Sequence, residues 1–331
     1  MFSEPRLRSR IVGTGAYAPA RVLTNFDLEK MVDTSDAWIR ERSGIRERRI
    51  ASEGEASSDM AMAAARSALE MAALSANDLD MIIVGTVTGD MPMPACAAFL
   101  QRKLGVTDIP AFDVSAACAG FLYGLTIADQ FLRTGTHRTI LVVGVELLSR
   151  IIDWTDRTTC VLFGDGAGAA ILRAEPGERG VLSTQLHTDS TYVESLCIPG
   201  GGSRERLSPD GLARKRDKVF MNGQDIFKVA VKNLTRASSS ALDQAGLKPS
   251  QVNWVVPHQA NLRILTQVAQ RLEIPMDRFV INIDRYGNTS SASIPIALDE
   301  AVRDGRIRDG DTVLMCALGG GISWGSALLK M

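Results

Sequence analysis

The chain contains an internal repeat. The segment AARSALEMAALSANDLDMIIV (64–84) aligns without gaps with ASSSALDQAGLKPSQVNWVVP (237–257), at an offset of 173 residues. In each copy alanine and leucine recur at the spacing of an amphipathic helix, a short polar turn follows, and the segment ends in a strand rich in Ile or Val. Because a single such unit cannot bury its apolar faces alone, the repeat predicts an α/β fold built from two similar halves.

A second match extends the repeat and connects three reactive residues. ADQFLRTG (128–135) resembles LDEAVRDG (298–305) at an offset of 170 residues. Carrying this offset back along the chain places Cys118 opposite Asn288, so halves packed about a pseudo-twofold axis would bring the two residues face to face. His258 directly follows the repeated strand of the second half, and ligands of α/β sheets bind beyond the carboxyl ends of strands. The repeat therefore predicts that Cys118, His258 and Asn288 converge on one site.

Cys118 lies in the segment SAACAG, between a predicted strand and a predicted helix. The short apolar run IPAFDV (109–114) is typical of a buried strand. After the cysteine, Phe121, Leu125 and Leu132 follow the period of an amphipathic helix. Unpaired N–H groups and the helix dipole at a helix start lower the pKa of a thiol, which favours a nucleophilic role. The alternative interpretation is a structural cysteine, since free cysteine is among the most buried residue types.

Composition excludes several classes of protein. The formal net charge of -1 is less basic than a general nucleic-acid binder requires. No run approaches ~20 apolar residues, and the start MFSEPRLRSRIVG has no apolar core of a signal peptide, so we expect a cytoplasmic protein that does not enter a membrane. The five cysteines include no CxxC pair, so neither a disulfide framework nor a zinc site is predicted. The glycine-rich GDGAGAAIL (164–172) lacks the following helix and acidic residue of a dinucleotide site.

Five motifs spread over almost the whole chain resemble one family. They are DVSAACAG, FGDGAGAA, VPHQANLR, RYGNTSSAS and GGGISWGSAL, and NFDLEKMVDTSDAWIRERSGIRER (25–48) fits the same group. Together they are similar to the β-ketoacyl-acyl-carrier-protein synthase III enzymes of bacterial fatty acid synthesis. The resemblance implies a thiolase-like fold of five αβαβα layers, with one half at 1–180 carrying Cys118 and the other at 181–331 carrying His258 and Asn288. It also implies a homodimer.

The same resemblance implies a chemical role for each of the converging residues. Cys118 would attack an acyl-CoA to form an acyl-enzyme, with the backbone N–H groups of Cys118 and Gly320 as oxyanion hole. Malonyl-acyl carrier protein would then lose carbon dioxide, and His258 Nε2 and the Asn288 amide would donate hydrogen bonds to the enolate oxygen. The resulting carbanion would attack the acyl group on Cys118. We expect neither a metal nor a redox cofactor.

Binding residues follow from the same motifs. Those that the resemblance implies for CoA are Trp38, Arg42, Arg157 and Asn261. An aromatic ring beside guanidinium groups suits the stacking of adenine, and Asn261 should line the pantetheine tunnel. Those for the acidic carrier protein and its phosphate are Lys228 and Arg263, which would otherwise be ordinary surface charges. The basic run ARKRDK (213–218) is either a solvated loop or a second contact for an acidic partner.

The acyl pocket departs from the family pattern. Met93, Leu318 and Ile322 stand where well-known members often have phenylalanine, and in those members one such ring reaches in from the partner subunit. Smaller or more flexible side chains reshape a pocket. We therefore expect a primer larger than acetyl, either branched or of medium length.

Alternatives remain at the level of sequence. A thiolase-fold acyltransferase of secondary metabolism would pass the acyl group to another nucleophile, and a cysteine-dependent thioester hydrolase would release it to water. A binding module that kept the fold without the chemistry is disfavoured, because all three reactive residues are present.

Overall fold

The computed structural model describes residues 7–331. The strands are β1 Leu7–Tyr17, β2 Arg21–Thr24, β3 Glu47–Ile50, β4 Met81–Gly85, β5 Ala111–Val114, β6 Thr139–Glu146, β7 Gly166–Pro176, β8 Gly180–Thr188, β9 Leu196–Cys197, β10 Phe220–Met221, β11 Trp254–Pro257, β12 Thr312–Gly319 and β13 Ser323–Lys330. The helices are α1 Asn25–Leu28, α2 Asp36–Ser43, α3 Ser57–Met71, α4 Cys96–Leu104, α5 Gly120–Arg133, α6 Pro209–Ala213, α7 Gly223–Ala245, α8 Leu262–Leu272, α9 Ile283–Tyr286 and α10 Ser293–Arg303.

Two sheets have the same strand order. The first runs β1-β7-β6-β4-β5 and the second runs β8-β13-β12-β11. Each sheet has an equivalent parallel pair, β6 with β4 in the first and β12 with β11 in the second. On the other side of β6 and β12, each sheet continues with two antiparallel pairs, β6-β7-β1 in the first and β12-β13-β8 in the second. Where the first sheet has β5, the second has only a single parallel bridge between Val255 and Phe279. The sheets therefore confirm the two similar halves predicted from the repeat.

The helices complete five layers. α5 and α10 lie between the two sheets, and α5 contacts strands of both. α3 and α4 cover the outer face of the first sheet, while α7 and α8 cover the outer face of the second. The order helix, sheet, helix, sheet, helix is the thiolase-like architecture that the resemblance implied.

The repeated alanines of the first half permit a close approach between helix and sheet. Ala64 and Ala68 of α3 are fully buried against Gly13 and Gly15 of β1. A Cβ atom added to either glycine would lie 2.2 Å from a carbonyl oxygen of α3, which is closer than real contacts allow. Small residues recur at these positions because no larger side chain fits between the two layers.

The second half makes the equivalent contact with serine hydroxyls. Ser183 of β8 donates a hydrogen bond of 2.7 Å to the carbonyl of Ala241, and Ser326 of β13 donates one of 2.7 Å to the carbonyl of Ala237. Both alanines belong to the repeat and are fully buried. The repeat thus marks the helix face that packs on each sheet.

The turns that lead into the central helices are also equivalent, but in a register that differs from the predicted one. A short 3-10 turn precedes each helix, Ala117–Ala119 before α5 and Ser290–Ala292 before α10. These turns are offset by 173 residues, whereas the helix ends Arg133 and Arg303 are offset by 170, since α5 has 14 residues and α10 has 11. The predicted equivalence of Cys118 with Asn288 is therefore wrong, and Ser291 is the counterpart of Cys118.

Among residues 7–331, none of the helices combines the length and hydropathy that a membrane span requires.

Candidate active site

Cys118 lines a cavity of about 450 Å³. The side chain is only 7% exposed and belongs to the turn that leads into α5. Ala117 before it has φ 45°, in the left-handed region that non-glycine residues rarely adopt. The cavity walls are mostly apolar, with contributions from Val87, Leu148, Ile151, Phe163, Leu196, Cys197, Ile198 and Val219. A turn with strained backbone thus holds Cys118 in the wall of a mostly apolar cavity.

The thiol of Cys118 is protonated at rest. Burial raises the pKa of the thiol to about 12, and the negative charge of Glu146 adds to this effect. The Ser290 hydroxyl and a backbone N–H act in the opposite direction and lower the pKa of the thiol. The expectation of a lowered pKa considered only the helix start, and the loss of solvent outweighs that contribution.

The end of β12 packs directly against the cysteine turn. A Cβ atom on Gly319 would lie 2.5 Å from the backbone nitrogen of Cys118. Gly320 lines the same cavity as Cys118. The two backbone N–H groups predicted to form an oxyanion hole therefore belong to turns that are in contact, and only glycine at position 319 allows this approach.

His258 lies one residue beyond β11. Its backbone N–H extends the pairing of that strand and donates to the carbonyl of Cys316 at 2.8 Å. The ring is 3% exposed, and Nδ1 lies 2.6 Å from the hydroxyl oxygen of Ser293. Burial lowers the pKa of His258 to about 3, so the imidazole is neutral at physiological pH.

Asn288 is held by its backbone and by one side of its amide. Its N–H donates to the carbonyl of Leu162 at 2.9 Å, and its carbonyl accepts from the N–H of Gly164 at 3.0 Å. The side-chain Oδ1 accepts from the backbone N–H of Ser290 at 2.9 Å. Since Oδ1 is engaged in this way, the Nδ2 group faces the other direction and its two N–H bonds are not needed for the turn.

Two serines tie the three predicted residues together. Ser290 lines the cavity beside Cys118, where its hydroxyl lowers the pKa of the thiol, and it donates its backbone N–H to Asn288 Oδ1. Ser293 contacts the ring of His258 and donates to the carbonyl of Ser290 at 2.9 Å. Cys118, His258 and Asn288 thus come from three separate segments and meet around Ser290 and Ser293.

Sequence reasoning missed Ser290, Ser293 and Glu146. The two serines belong to the small polar run NTSSAS directly after Gly287, and that run was the available signal. Glu146 ends β6, a strand that is otherwise apolar and buried throughout. A carboxylate at the carboxyl end of a buried strand was a second signal.

The residues predicted to bind CoA form one cluster at the surface. The guanidinium groups of Arg42 and Arg157 lie over the ring of Trp38, at 5.9 Å and 5.6 Å from its centroid. Arg157 also donates to the backbone carbonyl of Asp33 at 2.8 Å. Asn261 caps the start of α8 and donates to the backbone carbonyl of Arg42 at 2.9 Å. The structure therefore brings together all four residues, and Asn261 connects α8 to the segment that holds Arg42.

The residues predicted to contact the carrier protein lie at neighbouring helix starts. Lys228 is exposed in the early part of α7, and Arg263 is exposed in the first turn of α8. The Arg263 guanidinium lies 5.6 Å from the ring centroid of Phe227, so the two helices share one basic surface. By contrast, side chains of the basic run 213–218 form ion pairs with nearby carboxylates, including Arg216 with Glu205 and Arg214 with Asp210.

The three residues predicted for the acyl pocket lie elsewhere within this chain. Leu318 and Ile322 are buried in the core between the second sheet and its outer helices, and they are not part of the cavity wall. Met93 is 83% exposed on the loop before α4. The apolar walls come instead from the segments 148–163 and 196–219.

Among residues 7–331, no three His, Cys, Asp or Glu side chains are grouped as metal ligands would be.

Comparisons with known proteins agree with one another. Two family models match, 3-oxoacyl-acyl-carrier-protein (ACP) synthase III over residues 112–190 and its C-terminal part over residues 242–331. Beta-ketoacyl-acyl-carrier-protein synthase III of Xanthomonas campestris pv. campestris is 51% identical over 328 residues, which are 98% of this chain and 99% of the relative. The protein of the same name from Rhodospirillum centenum is 52% identical with the same coverage.

Solved structures give the same result. The crystal structure of 3-oxoacyl-acyl-carrier-protein synthase III from Aquifex aeolicus has a TM-score of 0.90 and 46% identity, covering 98% of this chain and 100% of that one. The priming beta-ketosynthase from the R1128 polyketide biosynthetic pathway has a TM-score of 0.91 and 34% identity, covering 100% of this chain and 98% of that one. From its fold, its motifs and these relatives, the chain belongs to the beta-ketoacyl-acyl-carrier-protein synthase III family of condensing acyltransferases.

Proposed function

We propose that this enzyme catalyses the initiating condensation of type II fatty acid synthesis through an acyl group carried on Cys118. An acyl-CoA and a malonyl-acyl carrier protein would give a 3-oxoacyl-acyl carrier protein, CoA and carbon dioxide. The names of the relatives support the reaction. The observation that carries the role of the cysteine is its place in the wall of a mostly apolar cavity, beside the serines that hold His258 and Asn288.

In the first half of the reaction, the Cys118 sulfur attacks the thioester carbonyl of the acyl-CoA. The negative oxygen of the tetrahedral intermediate accepts hydrogen bonds from the backbone N–H groups of Cys118 and Gly320. The intermediate expels the CoA thiolate and leaves a thioester on Cys118. Since Gly319 permits the close contact between the two turns, the oxyanion site is formed before substrate arrives.

In the second half, the carboxylate of the malonyl group leaves as carbon dioxide and its electron pair becomes an enolate. Asn288 Nδ2 donates to the enolate oxygen, and its orientation is set by the bond that Oδ1 already accepts from Ser290. His258 Nε2 donates to the same oxygen as a neutral ring. The enolate carbon then attacks the acyl carbonyl, and the Cys118 thiolate is released.

Two surfaces serve the substrates in this proposal. The indole of Trp38, beside Arg42 and Arg157, stacks with the adenine of CoA, and Asn261 keeps Arg42 in place. Lys228 and Arg263 contact the acidic carrier protein and its phosphate. The cavity of about 450 Å³ receives the acyl chain, and its apolar walls suit a branched or medium-length primer.

We also propose that the enzyme works in the cytoplasm as a homodimer. Each chain of the dimer would consist of the halves 1–180 and 181–331. The exposed loop that holds Met91 and Met93 supports this, because exposed apolar side chains cluster there together with Val87. In the dimer the loop would pack on a second copy, and Met93 would approach the acyl pocket of that partner.

Intact-protein mass spectrometry tests the reaction. The enzyme is mixed with acetyl-, isobutyryl- and octanoyl-CoA in turn, and malonyl-acyl carrier protein is added as a chase. One acyl adduct on Cys118 that disappears into a 3-oxoacyl product supports the proposal. The acyl-CoA that gives the most abundant adduct is identified as the primer. Cys118→Ala should form no adduct, whereas Asn288→Ala should form the adduct and fail to respond to the chase.

The other outcomes identify the alternatives. An adduct that water removes without a chase indicates a thioester hydrolase. An adduct that is stable to malonyl-acyl carrier protein but is passed to another nucleophile indicates an acyltransferase of secondary metabolism, and the 34% identical priming ketosynthase makes this the second candidate. Equal or better turnover of acetyl-CoA would contradict the larger primer.

A further inference from the structure

Glu146 is a fully buried carboxylate with neutral hydrogen-bond donors. It ends β6 and has an exposed fraction of 0%. It accepts from the Thr88 hydroxyl at 2.5 Å, from the backbone N–H of Val87 at 3.2 Å and from the Ser290 hydroxyl at 3.2 Å. In the part of the chain that the structure describes, no lysine, arginine or histidine forms an ion pair with it. A buried charge without a counter-ion is costly, so this carboxylate readily takes up a proton.

Ser290 lies between this carboxylate and the nucleophile. Its hydroxyl donates to Glu146 at 3.2 Å, and Ser290 lines the same cavity as Cys118 and lowers the pKa of that thiol. A hydroxyl has one hydrogen, so it donates to only one of the two acids at a time and can accept from the other. Ser290 has φ 48°, a conformation that is rare for a non-glycine residue, and its backbone N–H is held by Asn288. The fold therefore maintains a strained residue at the point of contact.

We propose that Cys118, Ser290 and Glu146 form one proton-sharing unit. The Cys118 S–H bond breaks and its proton passes to the Ser290 oxygen, while the hydroxyl hydrogen of Ser290 passes to a carboxylate oxygen of Glu146. The products are a Cys118 thiolate that accepts a hydrogen bond from Ser290, and a neutral Glu146. When the condensation expels the thiolate, the two transfers run in reverse. Glu146 acts through Ser290 and is a positioning residue, and the inference rests on the proposed function for the role of Cys118.

Glu146 is the titratable group near Cys118 that can exchange a proton with the thiol. Of the charged residues that the structure describes, Glu146 is the one whose charge acts on Cys118. The other titratable groups nearby have their own partners: Asp165 accepts from Ser149 and from the N–H of Ala51, and the His258 ring contacts Ser293. Burial raises the pKa of Glu146 to about 7, so the carboxylate can hold a proton near neutral pH.

The pH profile of Cys118 alkylation tests the inference on the native enzyme. Iodoacetamide is added in excess between pH 6 and 9, and mass spectrometry follows the peptide that contains Cys118. If the two groups share one proton, the thiolate fraction rises until Glu146 loses its proton and then stays constant. We expect the alkylation rate to change less than about twofold between pH 7.5 and 8.5, whereas an independent thiol would change about tenfold.

Two variants separate charge coupling from a structural role. Glu146→Gln keeps an acceptor but cannot take the proton, so its alkylation rate should rise about tenfold per pH unit through the range where the native rate is flat. At pH 6 it should match the native rate, since Glu146 is neutral there. In Ser290→Ala the alkylation rate of Cys118 at pH 6 should be lower than in the native enzyme, because the thiolate loses a hydrogen-bond donor. The range of pH over which the native rate is constant should also disappear.

Asp129→Asn is the matched control. Asp129 is also buried, also accepts from a serine hydroxyl (Ser9 at 2.7 Å) and lies in the last turn of α5, far along the helix from Cys118. Its profile should match the native one. A native rate that rises tenfold per pH unit from 7.5 to 8.5 overturns the inference, as does a Glu146→Gln profile that stays flat. Alkylation needs no turnover, so this result is independent of whether the acyl-CoA and malonyl chase succeed.

Discussion

Nδ1 of His258 lies 2.6 Å from the hydroxyl oxygen of Ser293, a residue 35 positions later in the chain. Because a neutral imidazole carries one hydrogen, Nε2 can donate to an enolate only when Nδ1 accepts. The Ser293 hydroxyl can therefore select the tautomer that the proposed decarboxylation needs, by turning its hydrogen from the carbonyl of Ser290 to the ring.

Replacing Ser293 with alanine should slow decarboxylation and condensation. The ring nitrogen would lose its partner, at a cost of about 1–3 kcal/mol, which corresponds to roughly a 5- to 150-fold lower condensation rate. Acylation by acyl-CoA should change much less, since His258 acts in the second half. Single-turnover kinetics of the two halves measures both. Ser291→Ala is the control, because the Ser291 hydroxyl is buried without a hydrogen-bond partner in the described structure.

A methyl group on Gly319 should disrupt the oxyanion site. In Gly319→Ala the added Cβ would lie 2.5 Å from the backbone nitrogen of Cys118, so the two turns must separate. We expect a loss of about 1–3 kcal/mol in the free energy of unfolding and a marked fall in acylation rate. Thermal unfolding and adduct formation check this. Gly54→Ala, where the added atom has open space, should leave both unchanged.

Removing the ring of Trp38 should weaken the binding of CoA thioesters. Base stacking on an aromatic side chain contributes about 1–3 kcal/mol, so Trp38→Ala should raise KM for acyl-CoA by roughly 5- to 100-fold with little change in kcat. An acyl-N-acetylcysteamine substrate has no nucleotide and supplies the comparison. If its KM rises equally in the variant, the ring acts on the fold and not on the nucleotide.

Charge reversal at Arg263 should affect the carrier protein and leave the acyl-CoA step intact. Arg263→Glu should raise KM for malonyl-acyl carrier protein by roughly tenfold at low salt, and the difference should shrink as salt is added. Arg271→Glu makes the same charge change in the last turn of the same helix, and we expect it to be near neutral. Equal effects from both variants would contradict a local docking surface.

The repeat predicted the layers but not the register of the site. Similar halves bury equivalent faces, so the alanines of 64–84 and 237–257 revealed matched helices and strands. A single offset cannot show the three additional residues of α5, which lie between the matched helix end and the turn of Cys118. The convergence of Cys118, His258 and Asn288 was nevertheless predicted, because all three follow the carboxyl ends of strands or precede the central helices.

Glu146 and Ser290 could not be connected from the sequence. They are 144 residues apart, and their contact depends on how the end of β6 meets the turn before α10. The contact between Trp38 and Arg157 also joins distant segments of the chain, and family motifs rather than spacing pointed to it. Pairwise contacts between distant segments need the fold, whereas periodicity reports only which face of an element is buried.

The two equivalent turns before α5 and α10 carry different residues in the same backbone conformation. Ala117 and Ser290 occupy matching positions, with φ 45° and 48°, yet one precedes the nucleophile and the other supplies the hydroxyl that contacts it. Two identical chains related by an exact twofold axis would have to place the same side chain in both turns. Joining the halves in one polypeptide removes that constraint, so a single symmetric scaffold can hold an attacking group on one side and the group that serves it on the other.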